Sequence, residues 1–193
     1  MSEAIPRRGY HDSHTDPDIR DLWQTPPEVF AALNRDFRFV PYVAASAHNH
    51  LLPVYFTEKD DALAQDWAGQ LPPGITRCNL LYSDISPWVN KAAEECRKGI
   101  GTVMLVPADA SVGWFSLARG SCTEMRFIID GRLSFIRVDT GKPVNGNNKG
   151  SMLLFWNPFA SDFGITGYVS RDTLMAIGRK LLSDREPTDE RAA

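Results

Sequence analysis

The residues Thr76-Arg77-Cys78-Asn79-Leu80-Leu81-Tyr82-Ser83 decide the fold of this chain. An apolar run enters the stretch, Asn79 stands near its middle, Tyr82 follows, and Ser83–Pro87 opens a predicted helix. In a sheet of alternating strands and helices, this order places Asn79 and Tyr82 at the carboxyl end of a strand, where such sheets bind ligands. An amide beside an aromatic ring suits a flat nitrogenous ring. Taken alone, the eight residues also fit a buried strand followed by an ordinary turn.

The composition is that of one ordinary soluble domain. The chain has 193 residues, of which 43% are hydrophobic and 23% charged, enough for a real core. It contains no run of eighteen apolar residues, so no membrane span is predicted, and the apolar segment of a secretory signal is missing from Met1–His14. Neither the cysteines nor the histidine pairs have the spacing of metal ligands, so we predict free thiols, a reducing cytoplasm and no metal site: Cys78, Cys96, Cys122, His11/His14, His48/His50.

The net charge of −3 is unevenly distributed along the chain. Acidic residues outnumber basic ones from Asp21 to Asp66, whereas basic residues outnumber acidic ones from Arg119 to Lys149. The first region suits a cationic or hydroxyl-rich small ligand, and the second suits contact with phosphates. For any single residue, ordinary solvated charge explains the pattern equally well.

Apolar runs alternate with helical periods, which predicts an α/β sheet with helices on both faces. Thr25 is the predicted N-cap of the first helix, with Pro26 at its first position. The predicted strands are Phe37–Ser46, Arg77–Tyr82, Gly101–Pro107, Met125–Ile129, Gly131–Val138 and Ser151–Trp156. The predicted later helices are Pro87–Lys98, Ser111–Arg119 and Ser170–Leu182, with loop or short helix at His48–Tyr55 and loop at Asp139–Gly150. We expect a loose segment at 1–20, one domain over 21–182 and a charged tail at 183–193.

With these pieces placed, the chain resembles the phage-type DNA N6-adenine methyltransferases from about Asp21 to Trp156. The order and spacing of several short blocks together make the resemblance specific. The blocks are Asp21-x-Trp23-x-Thr25-Pro26, Val43-Ala44-Ala45-Ser46, Tyr55-Phe56-Thr57, Asp60-Asp61-Ala62-Leu63, Asp66-Trp67, Cys78-Asn79 with Tyr82-Ser83, Gly131-Arg132-Leu133-x-Phe135, and Asn147 to Phe155.

The resemblance implies a Rossmann-like class I methyltransferase fold, with a mixed, mostly parallel sheet. It implies site-specific transfer of a methyl group from S-adenosylmethionine to an adenine flipped out of double-stranded DNA, by a phage- or prophage-encoded enzyme in the bacterial cytoplasm. The amide of Asn79 and the carbonyl of Leu80 would accept from the adenine N6 amine, and the ring of Tyr82 would stack on the base. The cofactor-binding residues would be Trp23, Thr25, Pro26, Tyr42, Ala44, Asp60, Asp61 and Asp66, and the DNA-binding residues Arg132, Arg137, Lys142 and Lys149.

Two positions depart from the family pattern. Leu80 and Leu81 replace the two prolines of the catalytic Asn-Pro-Pro-Tyr loop, and Tyr42 replaces an aspartate that ends the first strand. The leucines keep every backbone acceptor but remove two fixed φ angles, and the tyrosine removes a carboxylate. These changes favour a second hypothesis, a catalytically impaired relative that acts as a DNA- or protein-binding module.

Overall fold

A mixed sheet carries the fold, and the computed structural model describes residues 24–43, 54–56, 60–78, 82, 84–137, 140–144 and 149–185. Within these residues seven strands form one sheet in the order β2-β1-β3-β4-β6-β5-β7. The strands are β1 (Pro41–Val43), β2 (Val54–Tyr55), β3 (Gly74–Cys78), β4 (Ile100–Pro107), β5 (Glu124–Ile129), β6 (Ser151–Trp156) and β7 (Ile165–Ser170). The helices are α1 (Pro27–Phe37), α2 (Trp67–Gln70), α3 (Ser86–Arg97), α4 (Gly113–Arg119) and α5 (Arg171–Ser183).

The strand directions confirm the predicted mixed, mostly parallel sheet. The first four strands pair in parallel, and β5 pairs in parallel with β7. Strand β6 is antiparallel to both of its neighbours, β4 and β5. The carboxyl ends of β3, β4 and β5 therefore meet the amino end of β6 at one edge of the sheet, which we call the carboxyl edge.

Helices cover both faces of the sheet, as predicted. On one face, α2, α3 and α4 pack Trp67, Val89 and Ala118 against sheet residues that include Met104 and Met152. Alternate residues of β4 point to opposite faces and are buried on both, which explains why this strand reads as a continuous apolar run.

On the other face, α1 and α5 pack Leu33 and Leu174 against Val103 and Leu153. Gly178 of α5 lies so close to the backbone of Glu28 that an added Cβ would overlap it. The two helices therefore approach each other closely at a position where α5 has a glycine.

Three sequence predictions about local structure were wrong. Helix α1 begins at Pro27 with Pro26 as its N-cap, so Thr25 is not the cap, because Pro27 fits the first helical position equally well. The described part of the predicted strand Gly131–Val138, residues 131–137, is not a strand: within it Ile136 alone forms isolated bridges, to Gln24 and Pro143, and Asp130 and Gly131 take positive φ. The strand predicted from Phe37 begins instead at Pro41, because α1 runs through Phe37.

Two strands were not predicted. Val54–Tyr55 forms β2, in a stretch where we predicted loop or a short helix. Ile165–Ser170 forms β7, an edge strand whose side chains are mostly exposed, so the apolar signal of a core strand is weak there. Within the described residues, no helix is long and apolar enough to cross a membrane. The limits of the terminal segments and of the single domain stay predictions.

Candidate functional site

A cleft of about 350 Å³ opens at the carboxyl edge of the sheet. Residues of the loops that follow β3 and β4 line two of its walls. Lys149, which precedes β6, lines a third. The lining residues of the cleft are Tyr82, Asp84, Ile85, Ser86, Pro107, Asp109, Val112, Gly113, Trp114 and Lys149. The predicted site residue Tyr82 thus lies in a cleft where sheets of this kind bind ligands. Asn79 and Leu80 lie outside the described residues.

Two contacts hold the side chain of Tyr82 in place. Its hydroxyl donates a hydrogen bond to the carbonyl of Leu105 at 3.1 Å, and its ring meets Phe135 edge-on, with centroids 6.1 Å apart. The last described pair of β3 with β4 joins Cys78 and Met104, so the phenol bonds the carbonyl of the next residue of β4. The half-buried ring is therefore held in place as a wall of the cleft.

An ion pair crosses the cleft between Asp109 and Lys149. The Lys149 Nζ lies 3.0 Å from Asp109 Oδ2, while the hydroxyl and the backbone N–H of Ser111 donate to Oδ1 at 2.5 and 3.0 Å. The Ser111 hydroxyl, followed by Lys149, lowers the pKa of Asp109 to about 2. Lys149, predicted to bind DNA, therefore already shares its charge with a carboxylate of the chain.

A buried arginine joins two of the predicted cofactor positions. Arg77 is fully buried, and its Nη2 donates to the hydroxyl of Thr25 at 2.8 Å. The register places the Cα of Tyr42 opposite Arg77 on the neighbouring strand. Thr25 directly precedes Pro26, the buried N-cap of α1. The structure thus brings Thr25, Pro26 and position 42 together around Arg77.

Sequence analysis did not assign a role to Arg77, although one signal for it was present. An arginine as the first residue of a predicted buried strand is unusual, because a buried cation needs a partner. In the described part of the chain, Nε and Nη1 of Arg77 have no hydrogen-bond partner.

The acidic positions assigned to the cofactor are not joined to this group by any contact that the described residues make. Asp60 and Asp61 are exposed in the turn before α2, and Asp61 takes a positive φ of 45°. Asp66 forms an ion pair with Lys98 at 3.2 Å. Lys98 directly follows α3 and precedes β4, so the pair lies near the amino ends of the strands, away from the cleft. Trp23 and Ala44 lie outside the described residues, which contain no cluster of three or more potential metal ligands.

Two of the predicted DNA-binding residues face each other on a short hairpin. The N–H of Arg137 donates to the carbonyl of Lys142 at 3.0 Å, and Ile136 exchanges two backbone hydrogen bonds with Gln24. The hairpin is thereby docked beside the start of α1, near the carboxyl edge. Arg132 is exposed and follows the carboxyl end of β5. The predicted Asp139–Gly150 loop falls partly outside the described residues.

Comparison with known proteins identifies related sequences. The family model of DNA N-6-adenine-methyltransferase (Dam) matches residues 12–181. A DNA N-6-adenine-methyltransferase of Escherichia phage T1 is 35% identical over 168 residues, which cover 78% of this chain and 68% of the relative. A DNA N-6-adenine-methyltransferase of Haemophilus phage HP1 is 30% identical over 151 residues, which cover 77% of this chain and 85% of the relative.

Proposed function

Because the chain belongs to the DNA N-6-adenine-methyltransferase (Dam) family, we propose that it methylates the N6 amine of adenine in double-stranded DNA, with S-adenosylmethionine as donor. The observation that best supports this reaction in the structure is the anchored ring of Tyr82, which walls a cleft at the carboxyl edge of the sheet. An aromatic ring that lines a cleft beside polar residues can stack on a base that has been flipped out of the duplex. We place the reaction in the cytoplasm of a bacterial host.

The residues at this edge fit the chemistry of the proposed cofactor. S-adenosylmethionine carries a carboxylate, an ammonium, a sulfonium and an adenosine, and when bound it supplies an electrophilic methyl group. The buried N–H groups of Arg77 that lack an acceptor among the described residues suit an anionic group. The positive end of the α1 dipole lies on the same side. The exposed carboxylates of Asp60 and Asp61 suit ribose hydroxyls.

The proposed roles around the target base divide between three residues. The amide oxygen of Asn79 and the carbonyl of Leu80 accept from the N6 amine, which raises the electron density on its nitrogen and aims its lone pair. Tyr82 contributes its ring, since its hydroxyl already donates to the Leu105 carbonyl and so is not placed as a general acid. These residues therefore orient and polarise the base, and solvent takes the released proton.

The second candidate function is binding of DNA or a partner protein without methyl transfer. The sequence departures at Tyr42, Leu80 and Leu81 favour it. The register adds one observation: position 42, where the family pattern has an aspartate, lies opposite the buried Arg77. In this chain the guanidinium has no carboxylate from that position.

Two measurements separate the candidates. Host DNA, recovered after expression of the protein, is digested with enzymes that respond to N6-methyladenine, and S-adenosylmethionine binding is measured by calorimetry. Methylation that is lost in Asn79→Ala and kept in the exposed control Asn90→Ala supports the enzyme. Binding of DNA and S-adenosylmethionine without any methylation supports the non-catalytic relative, and binding of neither contradicts the proposed cofactor.

A further inference from the structure

The guanidinium of Arg77 is a buried cation whose hydrogen-bonding capacity is mostly unused. The residue is 0% exposed, and among the described residues Nη2 alone has an acceptor, the Thr25 hydroxyl at 2.8 Å. Its Nε and Nη1 lack a partner among the described residues. Because buried donors are almost always satisfied, and buried charges are almost always paired, this group calls for an anion.

The surroundings of Arg77 add positive potential. Thr25 and the N-cap Pro26 lead directly into α1, an eleven-residue helix whose amino end carries the positive pole of its dipole. The carboxyl edge of β3 is also the edge at which Tyr82 walls the cleft. The neutral hydroxyl of Thr25 holds the guanidinium in place without neutralising it. The buried cation and the amino end of α1 are thus neighbours near the carboxyl end of β3.

On the premise of the proposed function, we infer that Arg77 binds the carboxylate of S-adenosylmethionine and that Thr25 positions the guanidinium. The carboxylate is the one anionic group of this ligand, and a guanidinium forms its strongest hydrogen bonds with such a group. Arg77 precedes Asn79 by two residues in the sequence, and two residues of fully extended chain span at most about 7 Å. The methionine part of the ligand can bridge that span between its carboxylate and its methyl group.

The test compares two ligands that differ only in the carboxylate, S-adenosylmethionine and its decarboxylated form, by calorimetry on the full chain. We expect the wild-type protein to bind the decarboxylated ligand about 10- to 100-fold more weakly, as expected for the loss of a charge-assisted hydrogen bond. We expect Arg77→Met to bind both ligands with one affinity, close to that of the wild-type protein for the decarboxylated ligand. Arg77→Lys should recover part of the discrimination between the two ligands. Arg35→Met removes an exposed cation near the other end of α1 and should behave as wild type.

The outcomes separate this inference from the proposed function. If the wild-type protein binds both ligands equally well, Arg77 does not hold the carboxylate, although the cofactor assignment stands. If Arg77→Met lowers the affinity for both ligands by the same factor, the protein still discriminates between them. Arg77 then has a structural role, and the inference is overturned. If the wild-type protein binds neither ligand, the proposed cofactor fails and the inference fails with it. Should Arg77→Met not fold, Thr25→Val tests the inference instead, because it releases the guanidinium from the Thr25 hydroxyl and should reduce the discrimination between the two ligands. Unchanged discrimination in Thr25→Val, or equal binding of both ligands by the wild-type protein, overturns the inference.

Discussion

The Tyr82 hydroxyl donates a 3.1 Å hydrogen bond to the carbonyl of Leu105, the residue that follows Met104 in β4. Met104 is the partner of Cys78 in the last described pair of β3 with β4, so the phenol bonds β4 directly after that pair. This bond fixes the ring relative to β4 rather than to its own loop. The hydroxyl therefore contributes this stabilising bond, whereas the ring offers the surface on which a base would stack.

We predict that Tyr82→Phe and Tyr82→Ala separate these two contributions. Tyr82→Phe keeps the ring and should lower the free energy of unfolding by about 0.5–1.5 kcal/mol, with little effect on methylation. Tyr82→Ala also removes the stacking surface, worth roughly 1–3 kcal/mol for a base, and should weaken target binding strongly. Chemical denaturation and methylation assays measure the two effects. Equal losses of methylation in both variants would contradict the proposed stacking role.

The contact between α1 and α5 gives a prediction about stability. An alanine at Gly178 would overlap the backbone of Glu28, so Gly178→Ala should destabilise the protein by about 1–3 kcal/mol, despite the better helix propensity of alanine. Gly113→Ala is the matched control, because Gly113 begins α4 and an added Cβ there meets nothing within 4 Å. Thermal unfolding should show a lower melting temperature for Gly178→Ala than for Gly113→Ala. Equal melting temperatures would mean that α1 and α5 can move apart without loss of stability.

The ion pair of Asp109 predicts an acid-sensitive contribution to stability. Its pKa is lowered to about 2, so the folded protein binds this proton less readily than the unfolded chain does. The stabilisation is therefore fully present above the unfolded pKa, near 4, and is lost as the pH falls towards 2. Asp109→Asn should flatten the pH dependence of unfolding between about pH 2 and 5. An unchanged slope in this range would show that the carboxylate has no such partners in solution.

The basic residues near the carboxyl edge predict where DNA lies. Replacing Arg132 and Arg137 together by glutamine should weaken binding and reduce the salt slope of the binding constant by about two if each contacts one phosphate. Replacing Arg97 and Arg119, which are exposed at the ends of α3 and α4 just before β4 and β5 begin, removes the same charge at the opposite edge and should leave the slope unchanged. Equal slopes in the two variants would place the DNA elsewhere.

The accuracy of the sequence predictions followed the strength of each local signal. The run Ile100–Pro107 is buried on both faces, so its hydrophobicity alone marked it as a central strand. Ile165–Ser170 was missed because an exposed edge strand owes its place to pairing with β5 rather than to burial. The start of α1 was displaced by one residue because Pro26 and Pro27 are equivalent by propensity. In the structure Pro26 is the N-cap, and the Thr25 hydroxyl, which was predicted to cap the helix, accepts a hydrogen bond from Arg77.

The predictions about the site were also limited to what local sequence patterns carry. The order of residues around Asn79 and Tyr82 predicted the carboxyl edge, and the described residue Tyr82 lies there. Neither the pairing of Asp109 with Lys149 nor the bond from Thr25 to Arg77 was predicted from the sequence. Each joins residues far apart in the chain, at 40 and 52 positions of separation, where local patterns carry no information.

The last prediction concerns the two departures from the family pattern. Two prolines at positions 80 and 81 would fix the backbone directions of the acceptors before the base arrives, and a misplacement of about 1 Å can cost roughly 100-fold in rate. If the loop limits catalysis, Leu80→Pro with Leu81→Pro should raise turnover without changing S-adenosylmethionine affinity. Tyr42→Asp acts differently, because it places a carboxylate opposite the buried Arg77 and should stabilise the ligand-free protein in thermal unfolding.

The combined variant decides whether the two repairs are independent, since their effects on turnover should then add as free energies. If the aspartate competes with the ligand for Arg77, Tyr42→Asp should instead lower S-adenosylmethionine affinity while raising stability, and the loss should vanish in Arg77→Met. If the missing carboxylate is what limits the enzyme, the proline variant stays inactive until Tyr42→Asp is added. Turnover that no repair changes would mean that neither departure limits the reaction, and that the unmodified loop already aims Asn79 correctly.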